Sequence, residues 1–414
     1  MNPCSGICSP EPRLSAIRPS FVPATKNKFT FGADDRVRTG DLNLGKVPRY
    51  QLRYVRILRG QNLSYLKQLG TSSEYLREIN GRRYRSNMDL SESIFWMNGR
   101  LATNCVEISE DPTSLDKDGF WVILQSFEGK FICARFIDIK DANLPPKEWK
   151  KLSSNWRSSQ NQSTFESNVV EIQNRIANGD IYQVNLCRVL STHCDQSLQG
   201  LASLLISENP APYASYLKLP GIEIASASPE LFLKRSGDEI KCSPIKGTSK
   251  IAEFGDKDKA ENVMIVDLMR NDFGQICESG SIDVPRLLAI EEHPGLFHLV
   301  SDVIGKLKSG VGWKVILSSL TPIGSISGAP KSSALKTISD LEQVERGPYC
   351  GVIGWSQGDQ SVMSVGIRIF WSNQDGKIHF GTGAGITWQS EPKGEWEETK
   401  LKAKRLIAIA GGGM

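Results

Sequence analysis

Apolar and polar positions change character along the chain at about residue 85. Before that point no helical or strand period persists, and Pro, Gly, Ser and Arg dominate the first sixty positions. A stretch this polar cannot bury enough apolar area to offset the entropy of ordering it. Residues 1–85 are therefore expected to be a disordered or misassigned N-terminal extension, with Met88 a candidate true start. An acid-poor, Ser- and Arg-containing beginning also admits a transit peptide as the weaker alternative.

From Ile94 the pattern tightens. The runs Ile94–Met97, Phe120–Leu124 and Phe131–Phe136 are short, apolar and aromatic-rich, and predict strands. Residues 144–165 are polar, contain Pro145-Pro146, and predict a connector. Val169, Val170, Ile172 and Ile176 predict a helix over Glu166–Asn178 with Gly179 as its C-cap. Beyond it, strands are expected at Tyr182–Leu190, Ile222–Ala227, Leu231–Lys234, Tyr349–Trp355, Met363–Trp371 and Ile378–Gly381, and helices over 256–271, 329–343 and 394–410. There is no regular βαβ alternation and no internal repeat. The expected class is α+β, with large antiparallel β-sheets in a two-layer core flanked by helices. Residues 86–160 would form its short N-terminal part and 161–414 the catalytic domain.

Composition narrows the partners. The chain has 414 residues, 39% hydrophobic and 23% charged, which is ordinary for a soluble globular protein. No apolar run reaches eighteen residues, so no membrane span is expected. The net charge of +4 is misleading, because residues 1–60 carry eleven Lys/Arg against four Asp/Glu and the remainder sums to −3. A body of that sign is not a nucleic-acid binder. The nine cysteines are dispersed without CxxC spacing, which predicts reduced thiols in a cytoplasmic protein.

Candidate chemistry starts at Lys246. It stands in Ser243-Pro244-Ile245-Lys246-Gly247-Thr248, downstream of Ser228-Pro229-Glu230. Most lysines are solvated surface charges. One held by short, stiff neighbours in a partly dry pocket loses its proton more readily and becomes a nucleophile. Asp258 and Glu261 share one helix face at i,i+3, and Glu395 and Glu398 repeat that spacing on the last helix. A lone acidic pair is most often a solvated face. Two pairs converging would suit a hard divalent ion. Gly324 to Ser332 resembles a phosphate loop only superficially, because Ala329 and Pro330 separate Gly328 from Lys331 where a Walker loop needs Gly-Lys-Ser/Thr contiguous.

Four features occur together: Gly179-Asp180-Ile181-Tyr182-Gln183-Val184-Asn185-Leu186; the Ser-Pro-Glu and Pro-Ile-Lys-Gly-Thr pair; the segment Asp258 to Asp272; and a C-terminal series of Gly324 to Lys331, Gly383-Ala384-Gly385-Ile386 and Glu395 to Thr399. Together they closely resemble the chorismate-utilising enzymes, a family that includes the anthranilate, aminodeoxychorismate, isochorismate and salicylate synthases. The resemblance covers about Ile94 to Ala410.

It implies Mg²⁺ as cofactor, with Glu261 and Glu398 as ligands, Glu395 supporting and Asp258 nearby. It implies that Arg368 takes a substrate carboxylate, and that Ser325, Tyr349 and Thr248 contact substrate. Gly383 and Gly385 would let backbone N–H groups approach an anion, and His298 would stand beside the ring; on residue type alone His298 is a hydrogen-bonded core residue. Glu230 matches the general acid. Lys246 directs the resemblance toward aminodeoxychorismate synthase component I, since anthranilate synthases carry alanine there. Gln183 replaces the lysine base of the water-using relatives, and an amide cannot act as a base. The substrates implied are chorismate and ammonia, the product pathway 4-aminobenzoate and folate biosynthesis, and the partner a glutamine amidotransferase subunit, component II. Anthranilate synthase activity and a non-catalytic glutaminase-docking scaffold are the competing readings. Ile323 and Ile369 depart from the family pattern, and the short N-terminal part implies loss of the tryptophan pocket found in some relatives.

Overall fold

The computed structural model describes residues 89–249, 251–293 and 296–413, without the side chains of Thr248, His293 and Leu296. The expected extension over residues 1–85 and the candidate start at Met88 lie outside the described residues.

Among the described residues eighteen strands join into one sheet, and every pairing between them is antiparallel. One run pairs Gln183–His193, Lys377–Ile386, Ile369–Ser372, Ile222–Ser228, Tyr213–Leu219 and Ile94–Met97 in that order. It continues through Arg100–Ser109, Phe131–Asp141 and Phe120–Gln125 into Val352–Gln357, Gln360–Val365, Leu231–Ser236, Glu239–Ser243 and Leu296–Lys306. The sheet curls so that side chains from both runs meet in one core. Leu217, Leu219, Ile369 and Trp371 from the first run pack with Ile123, Ile353, Met363 and Leu233 from the second.

Strand period explains why the first run is apolar on both sides. Successive side chains point to opposite faces. Leu217 and Leu219 enter the central core, while Ala214 and Tyr216 face a second cluster beneath helices Leu198–Glu208 and Pro392–Ala410. Ile369 and Trp371 likewise point one way and Phe370 the other. Helices Asp256–Ile276 and Trp313–Leu320 close the far side of the central core with Ile265, Met269, Phe273 and Ile316. Helix Gln162–Ala177 packs Phe165, Val169 and Ile172 against a third cluster.

Several elements differ from the sequence expectation. The connector ends at residue 161, because Asn161 accepts the Thr164 N–H and starts the helix four residues before Glu166. That helix is capped at Asn178, and Gly179 follows at φ +78°. The run Met363–Trp371 is two strands, broken at 366–368 where the chain crosses between the sheet's two halves. Strands Arg100–Ser109, Tyr213–Leu219, Asp283–His293 and Leu296–Lys306 and helices Leu198–Glu208 and Trp313–Leu320 were not anticipated. No helix among the described residues is long and apolar enough to cross a membrane. The seven described cysteines are buried and free.

Candidate active site

Two strand crossings lie side by side. Pro229 and Glu230 carry the chain from Ile222–Ser228 to Leu231–Ser236, and residues 366–368 carry it from Gln360–Val365 to Ile369–Ser372. The crossings are laced together: Val365 N–H donates to the Glu230 carbonyl at 3.1 Å, Ala227 N–H to the Arg368 carbonyl at 3.0 Å, and Ser228 Oγ–H to the Val365 carbonyl at 2.7 Å. Neither Glu230 nor Arg368 can lie in regular strand, because each occupies the point where its chain leaves one half of the sheet. Arg368 adopts φ +52°, a left-handed conformation that costs a non-glycine residue about 1–2 kcal/mol.

Glu230 is buried, and its Oε1 accepts the Ser325 hydroxyl at 2.8 Å. Loss of water pushes its carboxyl up to about 7, against the opposing pull of Ser325, the Lys246 ammonium and the Ile245 N–H. A carboxyl poised near neutrality can deliver a proton. Ser325, expected to touch substrate, is here the hydroxyl that fixes this acid.

Lys246 lies on strand Ile245–Ser249, which pairs with Leu296–Lys306 at Ile245↔Val300 and Thr248↔His298. The register slips between those pairs, and Gly247 sits in the slip at φ +86°. A Cβ at 247 would stand 3.0 Å from the Phe254 ring and 3.2 Å from Asp258 Cβ. The glycine thus permits the bulge beside Lys246. Burial drives the Lys246 amine below its usual range, Lys402 adds to the effect, and Glu261, Glu230 and Glu398 oppose it. The amine therefore lies within electrostatic reach of all three carboxylates.

The remaining groups gather around it. Gln183 Nε2 donates to Glu261 Oε2 at 3.3 Å, and the buried Gln183 Oε1 has no partner among the described residues. A Cβ at Gly385 would come within 2.6 Å of that Nε2 and 3.3 Å of Lys246 Nζ, so glycine there is what leaves room for both. Desolvation raises Glu261, and Lys246 and Lys257 counter it. Glu398 is pushed up by burial but held below its ordinary range overall by Lys402, whose Nζ lies 2.6 Å from Glu398 Oε1 and donates to the Gly383 carbonyl at 3.1 Å. Glu395 is buried, raised by desolvation, and accepts the Ser390 hydroxyl at 2.5 Å. Asp258 accepts the Gly255 N–H at 3.2 Å, which makes it a cap of its own helix.

Among the described residues no three His, Cys, Asp or Glu side chains converge as a ready-made metal cluster. The donor set is instead the carboxylate pair Glu261 and Glu398: the charge of Glu398 adds to the upward push on Glu261, so the two carboxylates lie within electrostatic reach of each other. Two hard oxygen donors, with water and a substrate anion completing the shell, is a set that fits Mg²⁺.

Arg368 is half-buried, its guanidinium is desolvated and has no carboxylate partner among the described residues, and its one close polar contact there is His298 Nε2, 3.2 Å from Nη2. Desolvation, helped by Arg405, brings it down to about 10. A desolvated cation without an anion is costly, and a carboxylate arriving from outside would relieve that cost bidentately. His298 is buried beside it. The Thr248 backbone is in register with His298, and its side chain lies outside the described residues. Tyr349 is buried, with its hydroxyl pushed well up by burial and by the neighbouring Cys187 and Cys350. Its ring covers Gly381. Gly383 makes room for Cys187, whose Sγ would stand 2.7 Å from a Cβ there.

Sequence reasoning missed two contributors. Lys402 follows Glu398 at i,i+4, a spacing that pairs opposite charges on a helix and could have been found. Asn262 left no sequence signal. Fully buried, it donates to the Leu299 carbonyl at 3.0 Å and accepts from Ser301 Oγ at 2.5 Å, locking the helix that bears Glu261 to the strand that bears His298.

Residues 128–408 match the family described as chorismate binding enzyme. The chain is 35% identical over 268 residues to anthranilate synthase component 1 of Aquifex aeolicus (strain VF5), covering 61% of this chain and 54% of that protein. It is 34% identical over 291 residues to aminodeoxychorismate synthase component 1 of Escherichia coli (strain K12), covering 66% and 63%. The chain thus spans between half and two thirds of the curated relatives it matches. Among solved structures, anthranilate synthase component I from Streptococcus pneumoniae TIGR4 superposes with a TM-score of 0.66 at 21% identity, over 80% of this chain and 96% of that one. A putative isochorismate synthase from Bacillus anthracis gives 0.66 at 19%, over 78% and 97%. Likeness at these identities establishes the curled antiparallel fold.

Proposed function

The chain belongs to the family of chorismate binding enzymes, and from that premise we propose that it is an aminodeoxychorismate synthase component I, joining ammonia to chorismate to form 4-amino-4-deoxychorismate. The observation that carries this reading is the Lys246 amine: desolvated, pushed toward its neutral form, and set among Glu230, Glu261 and Glu398.

In the proposed course, the neutral amine of Lys246 attacks C2 of the ring. The double bonds shift and the 4-hydroxyl departs, taking a proton from Glu230. Ammonia then adds at C4, the electron shift reverses, and the lysine leaves as free amine. One difficult substitution becomes two easier ones. Arg368 takes a substrate carboxylate and His298 holds the guanidinium in place. Gln183, bonded to Glu261, lines the site without a base for water. Mg²⁺ held by Glu261 and Glu398 would offset the charge of the other carboxylate. Ammonia would come from a glutamine amidotransferase subunit, so the isolated chain should use ammonium salts and not glutamine.

The test is turnover of chorismate with Mg²⁺ and ammonium, with products separated by chromatography, for the wild type and Lys246→Ala. The wild type should form 4-amino-4-deoxychorismate, and the variant should lose on the order of a hundredfold or more in rate, the scale of losing a covalent nucleophile. Anthranilate with pyruvate as products, or a Lys246→Ala variant of undiminished rate, would overturn the proposal.

A further inference from the structure

A cavity of about 600 Å³ lies away from this chemistry, at the other end of the strand that carries Gly385. Strand Lys377–Ile386 reaches it at His379, six residues before Gly385, or about 20 Å at the usual rise per residue. Its volume is that of a small-molecule site. Neither Lys246, Glu261, Glu398 nor Arg368 lines it.

One wall is a ladder of directly opposed residues. Arg157, on the short strand Arg157–Ser158 within the connector, pairs with Ser191, Ser191 with His379, and His379 with Trp371, across four neighbouring strands. Directly opposed residues put their side chains on the same face, and all four line the cavity. The wall therefore grades from a guanidinium at the outer strand, through a hydroxyl, to an imidazole stacked on an indole at 5.3 Å and 22°. Leu124, Ile132, Val189 and Ile222 supply further apolar lining.

Charge decides what fits. The acids in the lining are already engaged: Glu345 with Lys130 at 2.7 Å, and Glu128 with the N–H of Arg346 at 2.7 Å and of Gly347. Arg157 has no ion pair or hydrogen bond to its guanidinium among the described residues, and the Ser191 hydroxyl is likewise unengaged. The lining's two acids, Glu128 and Glu345, balance Lys130 and Arg157 in formal charge, but the groups left free at the mouth are donors, the Arg157 guanidinium and the Ser191 hydroxyl, and the interior is aromatic and aliphatic.

We propose that this cavity binds a small aromatic carboxylate, its anionic head on Arg157 and Ser191 and its ring against His379 and Trp371. One strand spacing, about 5 Å, separates Ser191 from His379, which matches the reach from ring centre to carboxylate in an aryl acid of two or three carbons. A guanidinium accepts a carboxylate bidentately.

The experiment is isothermal titration of the full chain with 3-phenylpropionate and, in parallel, its neutral amide. The wild type should bind the acid at one saturable site and the amide at least tenfold more weakly, the loss expected when a charge-assisted hydrogen bond is removed. Arg157→Glu, a change at an exposed position, should weaken the acid by tenfold or more, and Arg157→Lys should restore part of the affinity. Arg368→Ala should leave binding intact, which separates this cavity from the chorismate site. No saturable binding by the wild type, equal binding of acid and amide, equal binding by Arg157→Glu, or loss in Arg368→Ala would each overturn the proposal. None of these readouts depends on chorismate turnover.

Discussion

Replacing Glu230 with glutamine isolates one titration. The buried carboxyl sits at about 7 rather than the ordinary 4.5, chiefly because burial removes water from its charged form. At ~1.4 kcal/mol per pH unit, that displacement is worth about 3 kcal/mol. The sign follows from which state holds the proton. Below about pH 4.5 the carboxyl is protonated in both folded and unfolded chains, and nothing is lost. As pH rises from about 4.5 to about 7, the unfolded chain ionises first and folding loses stability steadily. Above about 7 the whole penalty stands. Glutamine keeps the shape, still accepts the Ser325 hydroxyl that now lies 2.8 Å from Oε1, and does not titrate. Urea unfolding of wild type and Glu230→Gln at steps from pH 4 to pH 8 therefore measures the effect directly. The stability difference should move in favour of the variant by about 3 kcal/mol across that range. A difference that stays constant with pH would refute the reasoning, because Glu230 would then have an ordinary carboxyl. The same titration should appear in turnover: the wild-type rate falls as pH rises through about 7, and Glu230→Gln is slow at every pH without that limb.

Other consequences can be checked alongside. Gly385→Ala places a methyl 2.6 Å from Gln183 Nε2 and 3.3 Å from Lys246 Nζ; because the amide end can shift, stability should change by less than about 1.5 kcal/mol while ammonia-dependent turnover falls at least about tenfold. Asn262→Ala strips a buried amide of both its bonds and leaves Ser301 and the Leu299 carbonyl short of partners; chemical denaturation should show a loss of about 2–4 kcal/mol. Chelation with EDTA should abolish turnover and added Mg²⁺ restore it, and Glu261→Gln with Glu398→Gln should raise the Mg²⁺ concentration needed for half activity or eliminate the dependence entirely. Turnover untouched by EDTA would remove the metal from the proposal.

The parts of the site that could be read along the chain are those whose spacing is local. Glu395 and Glu398 share a helix face because i,i+3 positions do so in any α-helix, and Lys402 continues that face. The segment around Lys246 stood out for its short, stiff neighbours, and the structure places its glycine in the bulge of a strand. Strands such as Tyr213–Leu219 and Leu296–Lys306 escaped notice for an opposite reason. The first is buried on both faces, so it shows no alternation, and the second carries polar Ser301 and Asp302, whose partners Asn262 and Arg286 lie elsewhere in the chain. The contact of Ser325 was invisible locally, whereas that of Asp258 is a capping-box spacing the chain does carry. The hydroxyl faces Glu230 across 95 positions of sequence, and the aspartate turns back on its own helix terminus.

Residue identity alone determined which chemistry was available: an amine at 246, carboxyls at 230, 261 and 398, an amide at 183 where a base would be needed to activate water. Only the curled sheet and the helices packed on it decided that these groups share one place, with Glu398 at its exposed rim, because antiparallel register brings together segments far apart in sequence. It also decided the state of each group. A carboxyl near 7 and an amine pulled toward neutrality are products of surrounding atoms that exclude water, and no stretch of chain carries those atoms by itself.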